Sequence, residues 1–75
     1  MMMAAGTCIK RVREEKGISR YRLAKDSGIS YSHLTAIEDN KHSPSLEVVR
    51  KIASGLGVTV SELLREIDKT SIVND

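Results

Sequence analysis

Apolar residues recur three and four positions apart along most of this 75-residue chain, which is the spacing that puts them on one face of an α-helix. Period-two alternation, the pattern typical of a half-buried strand, is confined to the short stretch 58–61. Signals for helix starts and helix ends divide the sequence into five short segments. The pattern therefore predicts an all-α fold, a compact bundle of five helices.

The five predicted helices span 8–16, 20–27, 31–39, 46–56 and 60–67. Each follows a residue whose hydroxyl can cap a helix N-terminus, and these residues are Thr7, Ser19, Ser30, Ser45 and Thr59. Thr59 and Glu62 have the T-x-x-E spacing of a capping box. The apolar positions of the five helices predict an aliphatic core, made of Ile9, Val12, Leu23, Ala24, Leu34, Ile37, Val49, Ile52, Ala53, Leu56, Leu63, Leu64 and Ile67.

The length allows one small domain with a modest core. We expect a flexible leader at 1–6, a folded domain at 7–67 and a frayed C-terminal tail at 68–75. A single cysteine, Cys8, excludes an internal disulfide and a cysteine-based zinc site. No apolar run approaches the length of a membrane span, and the start lacks the features of a signal peptide. A cytoplasmic location is the expectation.

The charge is unevenly distributed although the net charge is only +2. Residues 10–25 hold seven basic and two acidic side chains, whereas 59–75 hold two basic and four acidic ones. A basic first half favours a polyanionic partner. A solvated, highly charged helix remains the alternative explanation on charge alone.

The segment 20–39 carries most of the functional information. Two short helices are separated by Gly28, which accepts the positive φ of a sharp turn, and Ala24 lets those helices approach closely. Leu34 and Ile37 hold the second helix by one face, which leaves a polar face on the other side. A short helix presented in this way suits the major groove of DNA, which admits one α-helix.

The same segment resembles the lambda-repressor-like, or Cro/Xre-type, helix-turn-helix family. The residues that carry the resemblance are Leu23-Ala24, Gly28-Ile29-Ser30, Leu34, Ile37-Glu38, Pro44-Ser45-Leu46-Glu47, Ala53 and Leu56-Gly57-Val58. Members of this family are five-helix bundles that bind operator DNA, commonly as homodimers, and regulate transcription. The resemblance implies a helix-turn-helix made by helices two and three, with double-stranded DNA as the partner. It further implies a transcriptional regulator, expected to act as a repressor, that binds a near-palindromic operator as a homodimer.

Several site residues follow from the resemblance. Base-reading positions fall on Ser30, Tyr31, Ser32, Thr35 and Ala36. Phosphate-contacting positions fall on Arg20, Lys41 and Ser43, and a structural ion pair falls on Arg13 and Glu38. The sequence departs from the family pattern at two positions. Asn40 stands where glycine is frequent, and Arg20 stands where glutamine is frequent.

The C-terminal region carries more apolar residues than the small core of a monomer needs. Leu64, Ile67, Ile72 and Val73 therefore predict a two-fold homodimer through helix five and the tail. The alternative is that these residues only complete the core of the monomer.

Other functions have weaker support in the sequence. A protein-interaction or antitoxin-like module with the same fold is the principal alternative to DNA binding. An enzyme is not expected, because no nucleophile–base set, metal-ligand spacing or phosphate-binding glycine loop is present. His33 and His42 lack the i,i+4 spacing of a helical metal site and are interpreted as solvated. No cofactor, metal or small-molecule ligand is expected.

Overall fold

The computed structural model describes the backbone of residues 4–72 and the side chains of residues 5–68. Over that range the chain forms five helices and no strand, which confirms the predicted all-α architecture. The helices are α1 (Ala4–Glu15), α2 (Arg20–Ser27), α3 (Tyr31–Glu38), α4 (Leu46–Leu56) and α5 (Val60–Ile72). None of the described helices is both long and apolar enough to cross a membrane.

Local capping determines where four of the helices begin. The hydroxyls of Ser19, Ser30 and Ser45 each accept a hydrogen bond from the backbone N–H three residues later, at 3.0 to 3.2 Å. The Glu62 carboxylate accepts from the Thr59 N–H at 2.8 Å, and the Thr59 hydroxyl accepts from the Glu62 N–H at 3.0 Å. The predicted N-caps Ser19, Ser30 and Ser45 and the predicted capping box of α5 are therefore confirmed.

The start of α1 differs from the prediction. The helix begins at Ala4, so Thr7 lies inside it and is not its N-cap, and only residues 1–3 of the expected leader fall outside the described range. Packing explains the extension. Gly6 lies against the Ile37 carbonyl oxygen of α3, and the Thr7 hydroxyl accepts a hydrogen bond from Asn40 Nδ2 at 2.9 Å.

Three helix ends also differ. α1 ends at Glu15 rather than at residue 16, α3 ends at Glu38 rather than at residue 39, and α5 continues to Ile72 rather than stopping at Ile67. The stretch from 68 to 72, predicted as a frayed tail, is therefore helical. No glycine or proline interrupts it, so nothing in the sequence stops the helix there.

An aliphatic core joins the five helices. Its fully or largely buried members are Ile9, Leu23, Ala24, Leu34, Ile37, Val49, Ile52, Ala53, Leu56 and Leu63. Val12 and Ile67 are half-buried against the same cluster. Leu64 was predicted to face the core, but its neighbour Leu63 takes that position, and Leu64 remains 43% exposed. The core thus fixes α3 to the body of the protein while α5 keeps an apolar side chain at the surface.

Candidate nucleic-acid interface

The turn between α2 and α3 has the geometry that a sharp helix-turn-helix corner requires. Gly28 adopts a left-handed conformation with φ of 74°, where a Cβ would be strained. The N–H groups of Gly28 and Ile29 both donate to the Ala24 carbonyl, at 3.0 and 3.1 Å. Ser30 then returns to an extended conformation and caps α3. The corner therefore sets the direction of α3 within three residues.

α3 has one buried face and one accessible face. Leu34, Ile37 and Glu38 are buried, whereas Tyr31 is 50% exposed and Ser32 is exposed. Thr35 and Ala36 are half-buried between the two faces. The first turn of the helix, with Tyr31 and Ser32, is therefore accessible to a partner, and Thr35 and Ala36 are accessible in part.

The accessible face of α3 and the residues after it line one shallow depression, called here the recognition surface. Its lining residues are Tyr31, Ser32, Thr35, Ala36, Asp39 and Lys41. It brings together four of the five residues predicted to read bases and one of the three predicted to contact phosphates. Ser30 is outside this lining, and its hydroxyl accepts the N–H of His33. Ser43 lies exposed in the loop before α4.

Asp39 belongs to the recognition surface and was not predicted from the sequence. The signal that would have identified it is spacing, because Asp39 follows Thr35 by four residues and Ala36 by three, which places all three on one helix face.

Thr35 differs in chemistry from the other residues of the recognition surface. Its hydroxyl oxygen is covered and has no hydrogen-bond partner among the described residues, so the side chain offers only its carbon atoms to a partner.

Arg13 and Glu38 form a buried, bidentate ion pair between α1 and the end of α3. Arg13 Nε donates to Glu38 Oε2 at 2.7 Å, and Arg13 Nη2 donates to Glu38 Oε1 at 3.1 Å. Arg13 Nη1 also donates to the Ile18 carbonyl at 2.8 Å. Because the Glu38 side chain is 0% exposed, its charge depends on these donors. The pair ties α1 and the α1–α2 turn to α3.

Arg20 makes a second ion pair with the same carboxylate. Its Nε donates to Glu38 Oε1 at 3.0 Å, and its side chain remains 23% exposed. The hydrogen bond to Glu38 raises the pKa of Arg20 above its usual value, and the phenol of Tyr31 raises that pKa further. Arg20 is therefore partly engaged within the protein, by Glu38 at its Nε and by the neighbouring Tyr31 phenol.

The turn after α3 positions Lys41. Asn40 adopts a left-handed conformation with φ of 61°, which asparagine tolerates better than most residues. The Lys41 N–H donates to the Ala36 carbonyl at 2.8 Å and the Asn40 N–H to the Ile37 carbonyl at 3.0 Å, so the helix ends in a Schellman-type turn. Asparagine therefore supports the turn for which the family frequently uses glycine.

The two histidines lie close together beside this turn. The ring centroids of His33 and His42 are 6.4 Å apart, and the rings meet edge to face. Among the side chains that the structure describes, no group of three or more His, Cys, Asp and Glu residues is placed to hold a metal ion. Cys8 is fully buried.

The residues predicted to form a dimer interface are placed differently from one another. Leu64 is exposed, whereas Ile67 is half-buried and packs against the core of its own chain. The side chain of Ile72 and the whole of Val73 lie outside the described residues. Leu64 is thus the predicted interface residue that the described part of α5 leaves accessible.

Comparison with known proteins places this geometry in a family. A helix-turn-helix family model matches residues 9–63. The HTH-type transcriptional regulator SinR of Bacillus licheniformis is 41% identical over 66 residues, which cover 87% of this chain and 60% of SinR. Control protein C.MunI of a Mycoplasma species is 35% identical over 65 residues, which cover 85% of this chain and 88% of that protein.

The fold comparison agrees with the sequence comparison. A variant of the restriction–modification controller protein C.Esp1396I superposes with a TM-score of 0.90 at 24% identity, covering 99% of this chain and 96% of that one. The chain spans 60% of the length of SinR, which is less than two thirds of that protein. The family match covers all of the helix-turn-helix and most of the bundle, and the chain therefore belongs to the Cro/Xre-type helix-turn-helix family.

Proposed function

We propose that this protein is a sequence-specific DNA-binding regulator of transcription that acts in the cytoplasm. The observation that carries the proposal is the recognition surface, where α3 is fixed by its buried face and presents polar side chains on the other. A helix held in this way fits the major groove, in which each base pair has a distinct pattern of donors and acceptors. Membership of the helix-turn-helix family supports the same function.

Within the recognition surface we assign base reading to the accessible face of α3, which runs from its first turn to its last. Tyr31 and Ser32 are exposed residues, and their hydroxyl groups can both donate to and accept from base edges. Thr35 and Ala36 suit apolar contact with the methyl group of thymine. Ser30 stands at the N-cap, where it directs the first turn of α3 toward the groove.

We assign phosphate contacts to three side chains at the edges of this surface. Lys41 and Ser43 are exposed in the loop after α3, and Arg20 stands at the first position of α2. Because Glu38 holds Arg20 by its Nε, the guanidinium is already oriented before DNA arrives. Contacts of this kind fix the orientation of a protein on the duplex but carry no base information.

We further propose that the protein binds a near-palindromic operator as a two-fold homodimer. The exposed Leu64 of α5 is the described side chain that supports an interface there, and Ile67, Ile72 and Val73 would extend it. Two copies related by a two-fold axis present two recognition surfaces, and matching half-sites lie about 34 Å apart along the duplex. Bound over a promoter, such a dimer excludes other proteins, so repression is the proposed outcome.

Selection of binding sites from a random duplex library tests the proposal directly. The purified protein is expected to enrich an inverted repeat, and a Tyr31→Ala, Ser32→Ala double variant is expected to lose that enrichment while it retains its helical circular dichroism spectrum. Failure of the wild-type protein to enrich any sequence would contradict the proposal. That result would favour the protein-interaction or antitoxin-like module.

A further inference from the structure

Asp39 places a carboxylate on the recognition surface for which the fold has no use. The residue is exposed and lines the depression together with Thr35, Ala36 and Lys41. Its side chain makes no ion pair or hydrogen bond with any residue in the described part of the chain. Removing this carboxylate would therefore leave the contacts of the monomer intact.

The position is electrostatically unfavourable for an acid. Asp39 is the C-cap of α3, and the C-terminal end of a helix carries partial negative charge. The neighbouring acid, Glu38, is neutralised by Arg13 and Arg20, but Asp39 has no such partner among the described side chains. A carboxylate on a surface that meets DNA also repels every phosphate it approaches. Asp39 therefore opposes binding to DNA in general.

We propose, on the basis of the DNA-binding function proposed above, that Asp39 determines specificity by selecting an exocyclic amino group in the major groove, that of cytosine. An ionised carboxylate only accepts hydrogen bonds. The edges of guanine and thymine present acceptors there, and adenine presents its acceptor N7 beside its amino group. The cytosine edge presents the N4 amino group alone, so it is the base that suits Asp39.

This selection works by penalty as well as by attraction. Opposite cytosine the carboxylate gains a hydrogen bond that offsets its repulsion by the phosphates. Opposite any other base the repulsion stays, together with the loss of the carboxylate's hydration. The Asp39 side chain thus lowers the affinity for most duplexes, but not the affinity for duplexes with cytosine at one position in each half-site.

The test compares site selection and binding by the wild-type protein, Asp39→Ala and Asp39→Asn. The matched control is Glu14→Ala, which removes one exposed carboxylate from α1, outside the recognition surface. The wild-type sites are expected to hold cytosine at one position of each half-site. Asp39→Ala is expected to lose about tenfold discrimination at that position alone and to bind random duplexes several-fold more tightly at low salt. Glu14→Ala is expected to keep the wild-type preference.

The outcomes separate this inference from the proposed function. If the wild-type protein enriches no sequence, the proposed function fails and Asp39 has nothing to select. If the wild-type protein and both Asp39 variants enrich the same operator with the same preference at every position, the inference about Asp39 alone is overturned. The same holds if Asp39→Ala binds all duplexes more tightly by one common factor, because the carboxylate then repels without reading. Equal melting midpoints verify that the variants are folded.

Discussion

Gly55 of α4 lies against Leu23 of α2 so closely that no side chain fits between them. A Cβ at position 55 would lie 2.9 Å from Leu23 Cδ1, and it would also collide with the Ser27 hydroxyl. Glycine inside a helix costs about 1 kcal/mol relative to alanine, so its presence in α4 is explained by this contact. α2 is the first helix of the helix-turn-helix, and the contact therefore fixes its distance from the core.

Gly55→Ala is expected to destabilise the protein even though alanine favours the helix. Overpacking of a tight contact costs about 1–3 kcal/mol, which equals or exceeds the gain in helix propensity. Urea unfolding followed by circular dichroism measures the difference. Ser54→Ala, at the exposed neighbouring position, serves as the control and is expected to change little. A Gly55→Ala protein with a higher midpoint than the wild type would show that the Leu23 and Ser27 side chains, or the two helices, make room for a methyl group at little cost.

Glu38→Ala is expected to lower the free energy of unfolding by about 3 kcal/mol. The variant would leave Arg13 largely buried without its carboxylate and would release Arg20. A thermal melt checks the loss, with Glu47→Ala as the control because Glu47 is exposed on α4. An unchanged melting midpoint for folded Glu38→Ala would mean that the ion pairs contribute nothing to stability.

Lys41→Ala and Ser32→Ala are expected to affect DNA binding in different ways. Lys41→Ala should weaken binding to all duplexes alike and reduce the salt dependence by about one unit per half-site. Ser32→Ala should lower the preference for the operator by about 1–3 kcal/mol per lost contact and leave the salt dependence nearly unchanged. Salt titrations with operator and random duplexes measure both quantities. Equal, sequence-independent losses for the two variants would show that α3 does not read bases.

The capping box of α5 is expected to make stability depend on pH. The hydrogen bond from the Thr59 N–H lowers the pKa of Glu62 below its usual value of 4.5. A carboxylate with a lowered pKa in the folded state contributes stability above its unfolded pKa, and that contribution disappears as the pH falls through the folded value. The difference in melting midpoint between wild type and Glu62→Gln should therefore be full at neutral pH and shrink below about pH 4.5. A difference that does not shrink as the pH falls below about 4.5 would contradict the prediction.

Leu64→Glu is expected to convert the proposed dimer into a monomer. The residue is exposed in the monomer, so a charge there leaves the fold intact but would be buried at a two-fold interface. Sedimentation equilibrium at micromolar concentration distinguishes the two states. Leu46→Glu is the matched control, since Leu46 is 55% exposed on α4. A wild-type protein that remains monomeric at high concentration, with and without operator DNA, would exclude this interface.

Features of the fold that depend on neighbouring residues could be predicted from the sequence. The N-caps at Ser19, Ser30 and Ser45 involve atoms three residues apart, so their spacing is visible in the chain itself. The start of α1 depends instead on the contact of Gly6 with α3 and on the hydrogen bond between Thr7 and Asn40. Those contacts join residues about thirty positions apart, and no local pattern reveals them.

The candidate site also combines features that local spacing predicts with features that depend on long-range contacts. Helical spacing places Tyr31, Ser32 and Thr35 on one face without any knowledge of the fold, and the same rule applied one turn further would have included Asp39. The link between Arg20 and Glu38 is different, because it arises only when α2 packs beside the end of α3. The resemblance to a family therefore suggested a phosphate contact for Arg20 and could not reveal its second partner.

The two faces of α3 also determine how a protein of this kind can change over generations. Leu34, Ile37 and Glu38 hold the helix in place, whereas Ser32 and Asp39 are exposed and substitutions there alter the free energy of folding little. If these residues read bases as proposed, duplicated genes can diverge in target preference one exposed residue at a time, with every intermediate still folded. A lineage could thereby acquire many regulators that ignore one another's binding sites while all of them keep the same scaffold.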